Sequence, residues 1–279
     1  MRAIQAGFSI RKKLGLARLG RKPRKAAEPP RSLLRDFDFS SDQSFGFRVD
    51  TVSPKTKASR VIIYLHGGGY VVPIAKQHWQ LIEQLVRETN ATVIVPRYGL
   101  APEFGVSEAL ELVGKVVEQA RGLDLELVLA GDSAGGGLAL ASIQQLALQS
   151  AISKLLLISP WLDSGFDDPE LPMVLSKDPW LIPENLREIA RVWSERNDPS
   201  HPAVAPLRGE MKSLPRTFLM IGQWDILLFG ARELSEIAKQ KGLDLVYEEL
   251  ENALHVYPLL PTPEGKAARN RIVGFLLDQ

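Results

Sequence analysis

The sequence of 279 residues contains no cysteine, so disulfide bonds and cysteine metal sites are excluded. It also lacks the roughly 20 consecutive apolar residues that a membrane-spanning helix needs. A basic segment begins the chain, but the apolar stretch that would make it a cleaved signal peptide does not follow. These absences lead us to expect a cytoplasmic protein.

Excess charge of one sign is absent as well. The formal net charge is +1 at pH 7, which gives no reason to expect a nucleic-acid partner. The balance hides an asymmetry, because residues 1–31 carry ten Lys or Arg and only one acid, Glu28. We interpret this basic arm as a solvated, partly disordered extension. The alternative is a surface helix that covers the site or makes weak peripheral contact with anionic lipid.

The remaining chain alternates strand-like and helix-like segments. Two antiparallel strands are predicted at 35–40 and 44–51, with a turn near Asp42. Buried strands are predicted at 60–65, 91–96, 126–130, 154–159, 216–221 and 244–250, and helices at 74–88, 106–120, 136–149, 184–195, 229–241 and 265–277. This rhythm predicts an α/β fold with a mostly parallel central sheet and helices on both faces.

One stretch interrupts the rhythm. Residues 160–206 contain eight prolines and three tryptophans and show little strand character. We interpret them as a cap inserted over the site of one catalytic domain, residues 32–279, and not as a separate domain.

A sharp turn is predicted at Gly131-Asp132-Ser133-Ala134-Gly135, between a buried strand and a helix. A serine at such a turn is the nucleophile elbow, the structural context that gives a G-x-S-x-G match its meaning. Serine is a poor nucleophile at neutral pH, so it needs a base and a carboxylate that orients the base.

Few residues of the sequence can supply the base and the acid. The four histidines are His66, His78, His201 and His255. His255 lies in the loop after the last strand, on the rim where ligands gather in such sheets, and is the predicted base. The predicted acid is Asp225, which follows a strand and lies between the serine and the histidine, in the order Ser, Asp, His. The aspartates of the insertion are interpreted as helix caps or surface charges: Asp163, Asp167, Asp168, Asp178 and Asp198.

Acyl transfer also needs N–H groups that stabilise the negative charge on the carbonyl oxygen. The run His66-Gly67-Gly68-Gly69 follows a strand, and glycine lets backbone N–H groups face a site without an intervening side chain. A flexible glycine turn is the ordinary alternative. We predict Gly67, Gly68 and Ala134 as the oxyanion donors, and Trp161 and Trp224 as pocket walls. No dinucleotide loop, phosphate-binding lysine or zinc motif is present, so we expect no cofactor and no metal.

Taken together, these segments resemble the hormone-sensitive-lipase-like group of α/β-hydrolases, the bacterial family IV esterases. The matching segments are the His66–Gly69 run, Gly131–Gly136, Ser159-Pro160-Trp161, Gly222 to Asp225, His255, and Tyr98 to Glu103. The resemblance implies an α/β-hydrolase fold and a serine carboxylesterase that cleaves short- to medium-chain esters through an acyl-enzyme, under a cap built from the N-terminal segment and 160–206. The sequence departs from the group's pattern at Arg97, Gly99, Phe229 and Val256.

Several alternatives share this machinery. A lactonase, an amidase or a deacetylase of small acylated metabolites would use the same residues, and a non-catalytic small-molecule receptor could use the same fold. The expected partner is a small-molecule ester, and fold-level analogy with capped hydrolases suggests a homodimer. Because the base must be neutral, activity is expected to fall as the pH drops through the histidine pKa, around 6–7.

Overall fold

A single sheet organises the molecule. The computed structural model describes residues 25–195 and 198–278, so the predicted basic arm lies outside the described residues up to position 24. Within the described residues, eight strands are hydrogen-bonded in the order β1-β2-β4-β3-β5-β6-β7-β8. β2 runs opposite to both of its neighbours, and all the other neighbouring pairs are parallel. The predicted mostly parallel sheet with a mixed edge is confirmed.

The central strands are rich in β-branched and aliphatic residues and are buried on both faces, as expected for parallel strands between two helical layers. The strands are β1 (Asp38–Asp42), β2 (Val49–Ser53), β3 (Arg60–Leu65), β4 (Ala91–Pro96), β5 (Glu126–Asp132), β6 (Lys154–Ile158), β7 (Arg216–Trp224) and β8 (Leu245–Leu254). Among the strands that the structure describes, β8 pairs only with β7 and is largely half-buried or exposed, so it forms one edge of this sheet.

Eight α-helices accompany the strands within the described residues. They are α1 (Arg31–Asp36), α2 (Lys76–Thr89), α3 (Val106–Arg121), α4 (Ala134–Gln145), α5 (Leu171–Leu175), α6 (Pro183–Trp193), α7 (Leu228–Lys241) and α8 (Pro263–Leu276). Two separate apolar cores result, because side chains alternate between the two faces of each strand. The buried residues of α3, α4 and α7 fill one core, and those of α1, α2 and α8 fill the other.

The predicted first strand is wrong at its start. Residues 35 and 36 end helix α1, and β1 begins only at Asp38. Leu33 is the fully buried residue of this short helix, and its burial in the core stabilises the helix before the strand begins. The second strand also begins later than predicted, at Val49, because residues 43–46 turn the chain.

Residues 160–206 contain α5 and α6 and, where the structure describes them, no strand. Apolar residues at helical spacing line one side of α6, and Leu186, Ile189, Ala190 and Trp193 join the same core as α4. The stretch is therefore packed onto the sheet domain through a buried apolar face. In the part of the chain that the structure describes, none of the helices is long and apolar enough to cross a bilayer.

Candidate active site

Ser133 lies at the apex of a strained turn. Its φ of 52° lies in the left-handed region that non-glycine residues rarely adopt. Helix α4 begins at the next residue, and a Cβ on Gly135 would come within 2.0 Å of the Leu65 carbonyl oxygen. Glycine is needed there because the first turn of the helix presses against the end of β3. The turn thus presents the Ser133 hydroxyl at the carboxyl edge of the sheet, as the sequence predicts.

The structure brings Ser133, His255 and Asp225 together. Nε2 of His255 lies 3.0 Å from Oγ of Ser133, and Nδ1 of His255 lies 2.8 Å from Oδ2 of Asp225. Both distances are hydrogen-bonding distances, and the three residues follow the carboxyl ends of β5, β8 and β7. The arrangement allows a proton on the serine to pass to the imidazole while the carboxylate fixes the opposite ring nitrogen.

All three side chains are buried, which strengthens the electrostatic interactions among them. Burial by itself would lower the pKa of His255. The neighbouring Asp225 carboxylate, assisted by the charges of Asp178 and Asp132, outweighs burial and raises the pKa of His255 above its ordinary value of 6.5. The site therefore favours an imidazole that accepts and holds a proton.

Gly67 does not have a free N–H. Its N–H donates to Oδ1 of Asp132 over 2.9 Å, and a Cβ on Gly67 would collide with that carboxylate. This contact removes Gly67 from the predicted oxyanion donors. Within the described chain, no acceptor is found for the N–H groups of Gly68, Gly69 or Ala134. Gly68 and Gly69 both have positive φ, at 128° and 58°, so the loop turns sharply at these two residues.

The carboxylate of Asp132 anchors the glycine loop, residues 67–69. Besides the Gly67 N–H, its carboxylate accepts the hydroxyl of Tyr64 at 2.7 Å and lies 3.3 Å from Nε2 of His78. Burial alone would raise the pKa of Asp132, but the charge of His78 and these hydrogen bonds outweigh burial and hold the pKa below its usual range. Burial, together with the nearby His78, lowers the pKa of His66 to about 4, so His66 is neutral at neutral pH.

Two further side chains hold the backbone beside the predicted base and the predicted acid. Oγ of Ser159 accepts the N–H of Val256, the residue after His255, at 2.9 Å. A carboxylate oxygen of Asp178 accepts the N–H of Ile226, the residue after Asp225, at 3.1 Å. The Ser159-Pro160-Trp161 segment marks Ser159 in the sequence, but no local signal separates Asp178 from the capping aspartates around it. Asp178 is 1% exposed, so its interpretation as a surface charge is wrong. The other interpretation, a cap, describes it only in part, because the carboxylate accepts two local N–H groups and also the distant N–H of Ile226.

Aromatic side chains surround the elbow. Trp161 is buried; its backbone N–H donates to the Ser133 carbonyl, and its indole N–H donates to the Asp163 carbonyl. Tyr70 stacks on Trp193 of α6 with ring centroids 4.2 Å apart, and its ring lies 5.5 Å from that of Trp161. Trp224 is half-buried, with Nζ of Lys177 above its ring at 5.9 Å. The pocket-wall roles of Trp161 and Trp224 stay predictions.

A cavity of about 530 Å³ is lined in part by Ile226 and Leu227, the residues that follow Asp225. Its lining combines an apolar floor with charged groups and includes neither Ser133 nor His255; the lining residues are Leu162, Asp163, Phe166, Asp167, Asp168, Glu170, Arg208, Ile226, Leu227, Phe229, Gly230, Arg232, Glu233 and Glu236. The described residues contain no cluster of three or more His, Asp or Glu placed to bind a metal ion.

The departures from the family pattern have local explanations. Arg97 pairs with the buried carboxylate of Asp50 at 2.5 Å and stacks over the Trp79 ring, so its charge is compensated. Gly99 lies where a Cβ would collide with the Phe104 ring. Val256 adopts φ 45°, a left-handed conformation that glycine would adopt without strain. Phe229 lines the cavity.

Comparison with known proteins agrees with this architecture. A family model described as alpha/beta hydrolase fold matches residues 62–259. An acetyl-hydrolase of Streptomyces hygroscopicus is 31% identical over 240 residues, which cover 82% of this chain and 79% of the relative. An esterase of Acinetobacter venetianus is 28% identical and covers 82% of this chain and 78% of its own length.

Solved structures give the same result. An esterase from the bacterial hormone-sensitive lipase family superimposes with a TM-score of 0.80 at 25% identity, over 98% of both chains. An esterase/lipase from an uncultured bacterium superimposes with a TM-score of 0.79 at 26% identity, over 97% of this chain and 98% of its own. The predicted family is confirmed. The chain belongs to the α/β-hydrolase fold family, among the hormone-sensitive-lipase-like esterases, and is an enzyme of the carboxylesterase type.

Proposed function

We propose that the protein hydrolyses short- to medium-chain carboxylic esters through an acyl-enzyme formed on Ser133. The observation that carries the proposal is the continuous hydrogen-bonded chain from Ser133 Oγ through His255 to Asp225, at 3.0 and 2.8 Å, in a buried site. These distances suit proton transfer between the serine and the imidazole without rearrangement of either side chain.

In the first half-reaction, Ser133 Oγ bonds to the ester carbonyl carbon as its proton passes to Nε2 of His255. The resulting tetrahedral adduct collapses when the bond from carbon to the alcohol oxygen breaks, and His255 returns its proton to the leaving alcohol. In the second half-reaction, water gives a proton to His255 and adds to the acyl carbon. The carboxylic acid then leaves and Ser133 recovers its proton. Asp225 holds His255 and stabilises its charged form throughout.

The N–H groups of Gly68, Gly69 and Ala134 are the proposed donors to the oxyanion. The free N–H groups of the glycine loop and the position of Ala134 at the start of α4 support this assignment, since the first N–H groups of a helix attract negative charge. Removal of one such donor commonly costs about 2.7–4 kcal/mol of transition-state stabilisation.

Residues 160–206 are the proposed cap, with Trp161 and Trp224 as walls of the substrate pocket. Support comes from α6, which packs its apolar side, including Trp193, against Tyr70 beside the elbow. The acetyl-hydrolase among the relatives favours a small acyl group. A series of p-nitrophenyl esters from acetate to decanoate measures the acyl preference directly.

Labelling by a fluorophosphonate tests the proposed nucleophile. The native protein should be labelled and should hydrolyse p-nitrophenyl acetate, and Ser133→Ala should do neither. Ser142→Ala is the matched control, because Ser142 is a buried serine of α4, the helix that follows Ser133, and its hydroxyl donates to the Leu138 carbonyl. A native protein that resists labelling would instead favour a non-catalytic receptor. Parallel panels of lactones, amides and acetylated metabolites separate the lactonase, amidase and deacetylase alternatives.

Two proposals about partners remain separate from the chemistry. Light scattering measures whether the protein is a homodimer. Sedimentation with anionic liposomes at low and high salt measures whether residues 1–31 provide a weak electrostatic membrane contact.

A further inference from the structure

A second buried carboxylate lies beside the predicted acid. Asp178 is 1% exposed and belongs to the loop between α5 and α6, inside residues 160–206. Neither its position in the sequence nor its neighbours mark it as part of the site. Among the described residues, no arginine or lysine forms an ion pair with Asp178, and a buried carboxylate of this kind needs several hydrogen-bond donors. The donors to Asp178 show which parts of the chain it connects.

Both oxygens of Asp178 are used. Oδ1 accepts the N–H groups of Trp180 and Leu181 at 2.8 and 3.0 Å, which closes a local turn of the insertion. Oδ2 accepts the N–H of Ile226 at 3.1 Å, across 48 positions of the sequence. The carboxylate therefore ties the insertion to the turn that carries the predicted acid.

Asp225 uses the adjacent N–H in the same turn. Its Oδ1 accepts the N–H of Leu227 at 3.0 Å, while its Oδ2 faces Nδ1 of His255. Two successive backbone N–H groups are thus divided between the two carboxylates. Without the bond to Asp178, the 225–227 turn would lose one of its two side-chain attachments, and the direction of the Asp225 carboxylate would be less well fixed.

Two charges of the site act on Asp178 in opposite directions, because the Asp225 carboxylate raises its pKa and His255 lowers it. The groups that face it are Asp225 at the end of β7 and His255 at the end of β8, with Lys177 of its own loop against the neighbouring Trp224 ring. Burial, followed by the nearby Asp225 carboxylate, raises the pKa of Asp178 to about 6. In return, the Asp178 charge is among those that raise the pKa of His255.

We infer that Asp178 is a positioning residue of the active site, which holds the Asp225 turn in place through the Ile226 N–H and whose negative charge also acts on His255. The inference rests on the proposed roles of Ser133, His255 and Asp225. It assigns to the insertion a part in the proton relay in addition to covering the site.

Asp178→Asn tests the inference. The side chain keeps its shape, but an amide nitrogen must face one of the three N–H donors, and the negative charge is lost. We expect kcat for p-nitrophenyl acetate at pH 8 to fall at least about tenfold with KM within about twofold, because Asp178 acts through Asp225 and not on substrate. We also expect the acidic limb of the kcat/KM profile to move to lower pH, because a charge that favours protonated His255 is gone.

Asp168→Asn is the matched control. Asp168 lies in the same insertion and closes the same kind of turn, with Oδ1 accepting the N–H of Glu170 at 2.8 Å, but it has no bond to the Asp225 turn. Its kcat and pH profile should match those of the native protein. A merely structural role for Asp178 would lower the melting temperature without moving the acidic limb, and an unmoved limb with native kcat in Asp178→Asn overturns the inference.

Asp178→Glu decides the matter if the asparagine variant does not fold. The longer side chain keeps the charge but displaces the oxygens from the Ile226 N–H, so kcat should fall while the acidic limb stays near its native position; a native kcat would overturn the inference. Failure of the triad proposal looks different, since Ser133→Ala would then keep its activity or the native protein would escape fluorophosphonate labelling.

Discussion

At the scale of single residues, the site depends on one buried carboxylate, Asp132, whose neighbours keep it charged. Asp132 accepts the Tyr64 hydroxyl and the Gly67 N–H and lies beside His78, and it thereby holds the loop that carries the proposed oxyanion donors. Asp132, which directly precedes the proposed nucleophile Ser133, thus also supports the glycine loop. Its role is structural support for the N–H groups of Gly68 and Gly69.

Asp132→Asn should therefore weaken both folding and turnover. An amide nitrogen would face at least one donor, and we expect the free energy of unfolding at pH 7 to fall by about 1–3 kcal/mol. The pKa of Asp132 is depressed in the folded protein, so its stabilising contribution is present above the unfolded value of 3.8 and is lost as the pH falls through the lower folded value. Urea titrations at pH 7 and pH 3 should thus show a difference between variant and native protein that shrinks in acid.

Asp163→Asn is the control for that experiment, since Asp163 pairs with Arg208 at 2.6 Å in a partly exposed position. Its effect should be within about 1 kcal/mol, as for most surface ion pairs. A difference for Asp132→Asn that stays constant from pH 7 to pH 3 would contradict the assigned charge state.

As the proposed base, His255 should make activity and one part of stability respond to pH in opposite directions. Its pKa is raised in the folded protein, so kcat/KM should fall as the pH decreases through a midpoint above 6.5. The stabilisation from its protonated pair with Asp225 is fully present below 6.5 and is lost as the pH rises through the folded pKa. A profile of kcat/KM from pH 5 to pH 9 checks the first statement, and a midpoint below 6.5 would refute it.

At the scale of elements, the sequence predicts most of the architecture. β3 and β4 are buried runs of β-branched residues and have the predicted bounds. The bounds of α3 and α7 differ from the predicted ones by one residue, because their apolar spacing is regular. The start of β1 could not be predicted, since residues 31–36 become helical where Leu33 meets the core of another part of the chain.

The site residues, like the elements, divide into those marked by a local sequence pattern and those that depend on distant contacts. Ser133, Asp225 and His255 stand in segments with recognisable local patterns, and the structure brings them together. The occupation of the Gly67 N–H and the link from Asp178 to Ile226 depend on partners 65 and 48 positions away, for which the sequence carries no local signal. Contacts of this kind appear only after the strands are in register.

Two helix glycines offer a comparison at this scale. A Cβ at Gly135 in α4 would meet the Leu65 carbonyl at 2.0 Å, whereas a Cβ at Gly114 in α3 would meet only a methyl group of Leu146, at 3.5 Å. We expect Gly135→Ala to cost at least about 2 kcal/mol and to lower activity, since α4 must move away from β3. Gly114→Ala should instead stabilise the protein by about 0.5–1 kcal/mol, because alanine is the better helix former. Thermal and urea unfolding measure both, and equal effects would contradict the packing described here.

At the scale of the whole molecule, the active site spans strands of unequal protection. Ser133 follows β5, which has neighbours on both sides and is almost entirely buried. His255 follows β8, which lies at the edge and, in the part of the chain that the structure describes, pairs only with β7. Edge elements with exposed hydrogen bonds open at lower free energy than the centre of a sheet.

Urea should accordingly abolish activity before it unfolds the sheet. We expect hydrogen exchange of Leu245–Leu254 to accelerate at urea concentrations that leave Glu126–Asp132 protected, and loss of hydrolysis to follow the first transition. Far-UV circular dichroism, which reports the remaining helices and strands, should change later. Coincidence of all three transitions would show that the edge strand and the centre unfold together.

The hydrogen bond between Ser133 and His255 closes a chain segment of 122 positions. Closing so long a loop costs entropy that nearby contacts do not have to overcome, so this bond should be among the last to form. During refolding, most of the helical signal should therefore return before the ability to cleave an ester, and a newly made chain should pass through a compact but inert phase. Catalytic competence in this fold is a late property of the maturing polypeptide.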